Sequence, residues 1–154
     1  MSIRKATTAD TQAVFDVRSA AILHGSRGHY PDELLERWTD GAPGEGFAAF
    51  VADHCYVLEI DGRVCACGAI AIPDGQIDSL FVSPAQMGKG LGQQMLAFLE
   101  QLAREAGIAE VHLQSTLNAA PFYRRAGFVG DAIAPYHSPR GFSLDSIPMR
   151  KQLG

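Results

Sequence analysis

The sequence predicts one α/β domain, a mixed twisted sheet covered by helices. Three observations carry that expectation: strand-forming runs gathered early, a strand–glycine loop–helix–strand unit in the middle, and a length of 154 residues that suits a single hydrophobic core. The composition, 47% hydrophobic and 19% charged, is that of a globular chain. Thirteen Lys plus Arg against seventeen Asp plus Glu give a formal net charge of -4. No overall positive field gathers polyanions, so neither nucleic acid nor a membrane surface is an expected partner. Cys65-Ala66-Cys67 is a C-x-C, not the C-x-x-C of zinc knuckles or thioredoxin-like sites. Together with Cys55, these cysteines read as buried free thiols in a reducing compartment. Met1 to Asp10 lacks the apolar run of a signal peptide, and no window approaches the roughly 18 apolar residues of a membrane span. A soluble, cytoplasmic protein is expected, with residues 1–154 forming one domain.

Ser2 to Ala6 reads as a short strand, and Thr7 and Asp10 have the spacing of a capping box. The helix that follows repeats Val14, Val17 and Ala21 at helical spacing, with Phe15 and Ile22 beside them, and stops near His24-Gly25. Pro31-Asp32-Glu33 opens a second helix through Leu34, Leu35 and Trp38, with proline in its first turn and acids at its positive end. Thr39 to Gly46 reads as a loop, with strands beginning after it. Cys55 to Ile60 and Arg63 to Ile72 flank Asp61-Gly62, a two-residue link that suits a type I′ hairpin. Pro73-Asp74-Gly75 turns the chain into a third strand, Gln76 to Val82, which completes a meander.

The most regular helix follows the glycine-rich stretch 88–92, with Leu91, Met95, Phe98, Leu99, Leu102 and Ala106 on one face and Gly107 as its stop. Val111 to Gln114 is the next strand, and a short helix from Ala119 to Ala126 ends at Gly127. Phe128 to Ala134 and Leu144 to Lys151 read as two closing strands. The unit of strand, glycine turn and helix carries the chemistry. Glycines at 88, 90 and 92 remove side chains where the backbone turns, so amide N–H groups can converge on an anion at the positive end of a helix. A phosphate or diphosphate suits this place. The spacing fits neither a P-loop nor a dinucleotide fingerprint, which would need glycine where Gln93 stands.

Val82-Ser83-Pro84-Ala85-Gln86-Met87-Gly88-Lys89-Gly90-Leu91-Gly92 resembles the acetyl-CoA loop of the GNAT superfamily of N-acetyltransferases. Asn118-Ala119-Ala120-Pro121-Phe122-Tyr123-Arg124-Arg125-Ala126-Gly127-Phe128 is similar to the family's downstream Asn...Phe-Tyr...Gly-Phe segment, in matching order and separation. The resemblance extends over nearly the whole chain. It implies a three-layer fold with helices on both faces of the sheet and direct transfer of an acetyl group from acetyl-CoA to a primary amine through a tetrahedral intermediate. One departure is that Met87 stands where the family usually carries Gln or Arg, with Gln86 one residue too early. A polar contact to the diphosphate is then missing, while the backbone amides, Met87's included, are expected to remain, and Lys89 adds a positive charge.

By this resemblance the cofactor-binding residues are Leu80, Phe81, Val82, Met87, Gly88, Lys89, Gly90, Leu91, Gly92, Gln93, Asn118 and Tyr123. A backbone N–H near Leu80 to Val82 would stabilise charge on the thioester oxygen. Tyr123 matches the family's tyrosine that protonates the departing thiolate and is the expected catalytic acid, with a helix tyrosine packed beside Phe122 as the alternative. Asn118 reads as a contact to coenzyme A, as a helix N-cap, or as both. An ammonium must also lose a proton before it attacks. Asp78, placed by the two-residue period on one face with Leu80 and Val82, is the first candidate base, and a surface acid is the alternative reading. Glu59 is a weaker candidate.

The five histidines, His24, His29, His54, His112 and His137, have no metal-ligand spacing, so no metal is expected. His29, Tyr30 and Trp38, and later Tyr136 and His137, fall in segments that face the acceptor in this family, and each has an ordinary packing or loop role as its alternative. The acceptor stays open among small amines, peptide N-termini, lysine and polyamines, and a homodimer is compatible with the sequence. A catalytically silent acyl-CoA sensor on the same fold is the second function class; a nucleotide-binding protein is disfavoured because no Ser/Thr follows as a magnesium ligand.

Overall fold

The computed structural model describes residues 1–154, and its secondary structure follows the local chemistry closely at the amino end. Strand β1 (Ser2–Lys5) runs into a short 3-10 turn whose Thr7 and Asp10 form the expected capping box, with Thr7 N–H donating to Asp10 at 2.8 Å. Helices α1 (Thr11–Gly25) and α2 (Asp32–Thr39) then stand where their patterns placed them. The first departure comes next. Glu45–His54 is a helix, α3, in a stretch read as the end of a loop followed by strand. Its Ala48, Ala49 and Ala52 favour helix, and Glu45 sits at its positive end. Phe47, Phe50 and Val51 had masked that signal by resembling a strand.

Strands β2 (Cys55–Ile60) and β3 (Arg63–Ala71) pair antiparallel across Asp61 and Gly62, whose φ values of 52° and 77° are those of a type I′ turn. Strand β4 (Gln76–Val82) completes the meander, α4 (Leu91–Glu105) crosses over, and β5 (Glu110–Ser115) returns parallel to β4. Helix α5 (Ala120–Arg125) and the hairpin of β6 (Ala134–His137) and β7 (Ser143–Gln152) close the chain. The sheet order is β1-β2-β3-β4-β5-β7-β6. The expected strand over Phe128 to Ala134 is mostly absent. Only Val129 bridges to Arg150, because the backbone at Gly130 passes so close to Pro148 O that a side chain has no room there, and pairing resumes only at Ala134.

Helices cover both faces. On one, Val14 and Val17 of α1 and Val51 of α3 bury Val57, Cys67 and Ala69. On the other, Leu91, Met95, Leu96, Leu99 and Ala103 of α4 bury Leu58, Ala66, Ile70, Ile77, Val111 and Leu113. Fully burying one such side chain contributes about 1.5–3 kcal/mol. Gly68 lets α4 settle this closely on β3, since a Cβ there would meet Met95 Cγ at 2.9 Å and Leu99 Cδ1 at 3.0 Å. All three cysteines are buried free thiols. No helix is long and apolar enough to cross a membrane.

Two irregularities shape the centre of the sheet. Strands β4 and β5 pair through Gln76 and His112 alone, so beyond that point they separate and leave a gap. The β3–β4 register also slips, because Ala69 faces Ser79 while Ile70 faces Ile77. Asp78 is the extra residue of this β-bulge. The expectation that Asp78 shares a face with Leu80 and Val82 by simple alternation therefore fails: Leu80 and Val82 pack toward the α4 side with Ile77.

Candidate active site

The gap between β4 and β5 opens into a cleft of about 610 Å³. Ile77 to Phe81 line one side of it, Leu113 to Thr116 another, and α1, α2 and α3 roof it with Phe15, Trp38, Phe47 and Phe50. Ser83 N–H bonds Cys65 O at 2.8 Å and Phe81 faces Cys67, so alternate residues of β4 turn their main-chain groups to β3. Leu80 and Val82, lying between them, turn theirs into the gap. Phe81 points its ring to the α1 side.

The glycine loop continues from this strand. Gly88 and Gly90 have φ values of 80° and 78°, a left-handed conformation that disfavours any other residue, and Gly90 caps α4 without a side-chain hydrogen bond. From Gly88 through Gln93 no main-chain N–H bonds an acceptor in the protein; the first to do so is Gln94, to Gly90 O at 3.1 Å. A Cβ on Gly92 would touch the Phe122 ring at 3.3 Å. These successive bare donors at a helix's positive end fit a diphosphate. Met87 does not join them: its N–H is turned back on Pro84 O at 3.4 Å, so the row begins one residue later than the sequence suggested. Lys89 is held by Gln86 at 2.8 Å.

Tyr123 is 7% exposed, braced edge-on by Phe122 and Phe128, and lines the cleft. Burial alone pushes its phenol up from the ordinary value, so it holds its proton throughout the neutral range. Its hydroxyl has no hydrogen-bond partner in the protein, although no fully buried polar atom is orphaned, so this group meets the cleft. Asp78 also lines the cleft and stays open to solvent. Desolvation by the walls raises its carboxyl, a shift opposed by His54 and His112 and reinforced by Asp74, and moderated by the water that still reaches it.

Asn118 is elsewhere. Ala119, not Asn118, is the N-cap of α5, and the Asn118 Oδ1 accepts from the buried Ser26 Oγ at 3.1 Å, tying the loop to the end of α1. Glu59 is bonded to Arg4 on the outer strands and does not line the cleft. Tyr30 is a structural brace: its hydroxyl donates to Asp145 O at 2.6 Å and accepts from Leu117 N–H at 3.0 Å. Trp38 and Tyr136 line the cleft, while His29 and His137 do not. The sequence reading passed over Arg18 and Arg140, both of which line it. The signal at Arg18 was present, since it interrupts the apolar stripe of Val14 and Ile22 at four-residue spacing.

Comparisons with known proteins agree with this geometry. An aminoalkylphosphonate N-acetyltransferase of Salmonella typhimurium is 30% identical over 82% of this chain and 83% of its own length. With other relatives the chain matches only about three fifths of their length. A GCN5-related N-acetyltransferase from Rhodopseudomonas palustris superposes with a TM-score of 0.90 at 24% identity, covering 98% of this chain and 94% of that one. The yncA protein of Salmonella typhimurium, solved with its cofactor acetyl-CoA, superposes at 0.70 with 26% identity over 99% and 94%. Residues 23–128 match the acetyltransferase (GNAT) family, and with the parted strands, the bare loop and the three-layer sheet this chain belongs to that family.

Proposed function

We propose that the protein transfers an acetyl group from acetyl-CoA to a primary amine. Acetyl-CoA supplies the acetyl thioester when bound. The amides of Gly88 to Gln93 hold its diphosphate, with Leu91 and Gly92 at the start of α4 and Lys89 beside them; Phe81 and Val82 flank the gap. The Leu80 N–H, turned into the gap, holds negative charge that develops on an oxygen placed there. Tyr123 keeps a proton ready for a departing sulfur. Asp78 takes the proton of the incoming ammonium, directly or through water.

The observation that carries this reading is the protonated, otherwise unpartnered hydroxyl of the buried Tyr123, which meets the same cleft as the free edge of β4. A silent acyl-CoA sensor would need the loop but not that hydroxyl. Thiol release from acetyl-CoA across a panel of amines tests the proposal, alongside coenzyme A titration by calorimetry. Saturable coenzyme binding with amine-dependent thiol release supports it; binding without release for every amine points to the sensor, and no binding removes both.

A further inference from the structure

Two guanidinium groups in the cleft have no acid. The ion pairs of the protein are Arg4 with Asp10 and Glu59, and Glu100 with Arg104 and Lys151; no carboxylate lies within 4.0 Å of Arg18 or Arg140. Arg18 is half-buried, stacked over Phe15 with its guanidinium carbon 5.2 Å from the ring centre. It donates to Trp38 O at 2.8 Å and to Ser19 Oγ at 3.3 Å. Arg140 comes from the loop between β6 and β7, where its own N–H donates to Ser138 Oγ at 3.0 Å, and its guanidinium reaches Asp40 O. The two side chains thus converge on the carbonyl end of α2. They feel one another: burial, and next the charge of Arg140, lower Arg18 to about 10.

Carbonyl oxygens accept single hydrogen bonds but cancel no full charge, and half-burying an uncompensated guanidinium beside a second one is costly. Five donors in a planar fork suit an oxyanion. The remaining lining gives the direction. Asp78, on β4, lines the same cleft as the two arginines and Tyr136, so an acid and the guanidinium pair face one enclosed space. We propose that the acceptor is an amine bearing an anionic group, a carboxylate or a phosphate-type oxyanion, which sits on Arg18 and Arg140 while its nitrogen turns toward Asp78. This rests on the acetyl-transfer reading for the nitrogen's fate, but the anion seat stands on the arginines alone. A purely structural role, in which the two arginines only cap α2, would cost thermal stability in their variants without discriminating between charged and neutral amines.

Two measurements separate these. In the first, acetylation of 3-aminopropanoate and 2-aminoethyl phosphate is compared with that of propylamine, for the native protein, Arg18→Gln and Arg140→Gln. The expected result is at least a tenfold higher kcat/KM for one or both anionic amines. Each variant should reduce that preference severalfold through the acceptor KM, with the acetyl-CoA KM unchanged. Which anionic amine is favoured tells carboxylate from phosphate. Equal use of propylamine, or variants that depress all amines alike, would overturn the proposal. In the second, fluorescence of Trp38, the chain's single tryptophan, is titrated with inorganic phosphate and with acetate in the presence of coenzyme A. A saturable change weakened in Arg140→Gln, a replacement at an exposed position, supports the seat even where no amine is acetylated. In that case the transfer reading fails and the anion site survives. No saturable change with either anion removes the seat while leaving acetyl transfer to be judged by thiol release.

Discussion

The two walls of the cleft recognise their ligands by different means. The wall at β4, continued beyond the cleft by the glycine loop, comes from one continuous stretch, Leu80 to Gln93, and its polar groups are main-chain amides held in place by backbone conformation. The opposite wall collects side chains from α1, α2, α3 and the β6–β7 loop, brought together only by the finished fold. The first wall therefore tolerates side-chain change and is sensitive to φ; the second is the reverse. Tyr123 stands where the walls meet, and its replacement should have the largest effect. Tyr123→Phe removes a hydroxyl with no protein partner, so stability should change by no more than about 0.5 kcal/mol. Turnover should fall roughly 100-fold or more, with coenzyme A affinity within about threefold. Turnover that persists in stopped assays at saturating amine would take the phenol out of the chemistry.

The next largest effect tests the claim about φ directly. Gly90→Val puts a β-branched residue at 78°, where a Cβ meets no neighbouring atom within 4 Å but the backbone resists, at about 1–2 kcal/mol. Acetyl-CoA affinity should drop roughly tenfold by calorimetry, while the acceptor KM stays put. Loss on the acceptor side instead would show that the walls are not independent.

The same division explains what could be read from the chain. The glycine loop was legible because its function needs only local conformation and residue spacing. Its one error, counting the amide of Met87, came from a 3-10 turn that spends that N–H on Pro84. Asp78 does line the cleft, but not by the alternation expected of it: alternation fails at a bulge, and a bulge leaves no mark in the sequence of its own strand. Asn118 was read as a coenzyme A contact, a cap, or both, and the fold draws it ninety-two positions back to Ser26, a contact no local pattern encodes. Helix α3 was missed because its aromatic residues outweighed its alanines in a stretch too short for periodicity to decide. Arg18 and Arg140 owe their pairing wholly to tertiary structure.

Asp78 sharpens the comparison through pH. Its carboxyl is raised, chiefly by desolvation, so in the proposed role of base it is ionised only above an elevated pKa. kcat/KM should thus rise with pH through a limb lying above the ordinary aspartate value of 3.8. Asp78→Asn should abolish that limb and lower the plateau by about fivefold, since Asp78 is open and water can carry part of the proton transfer. His54, His112 and Asp74 act on the same carboxyl, so His54→Gln is the control that shifts the limb upward without removing it.

The smallest effect belongs to the junction that aims the side-chain wall. Asp10 closes the turn before α1, the helix that carries Phe15 and Arg18, and accepts hydrogen bonds from Nη1 and Nη2 of Arg4, each at 2.8 Å. That bond lowers its carboxyl from 3.8 to about 2. Because the folded value is the depressed one, the stabilisation is complete above the unfolded pKa and disappears as pH falls toward 2. The shift corresponds to about 1–2 kcal/mol once the half-open position of Arg4 is allowed for. Asp10→Asn should lose this amount at neutral pH and flatten the acid limb of a denaturant-melt series. Its kinetic trace should be confined to the acceptor KM, within about twofold, because α1 contributes to that wall and not to the glycine loop. A matching loss in acetyl-CoA affinity would mean that the amide row depends on α1 after all, and that the backbone of Gly88 to Gln93 does not hold its conformation by itself.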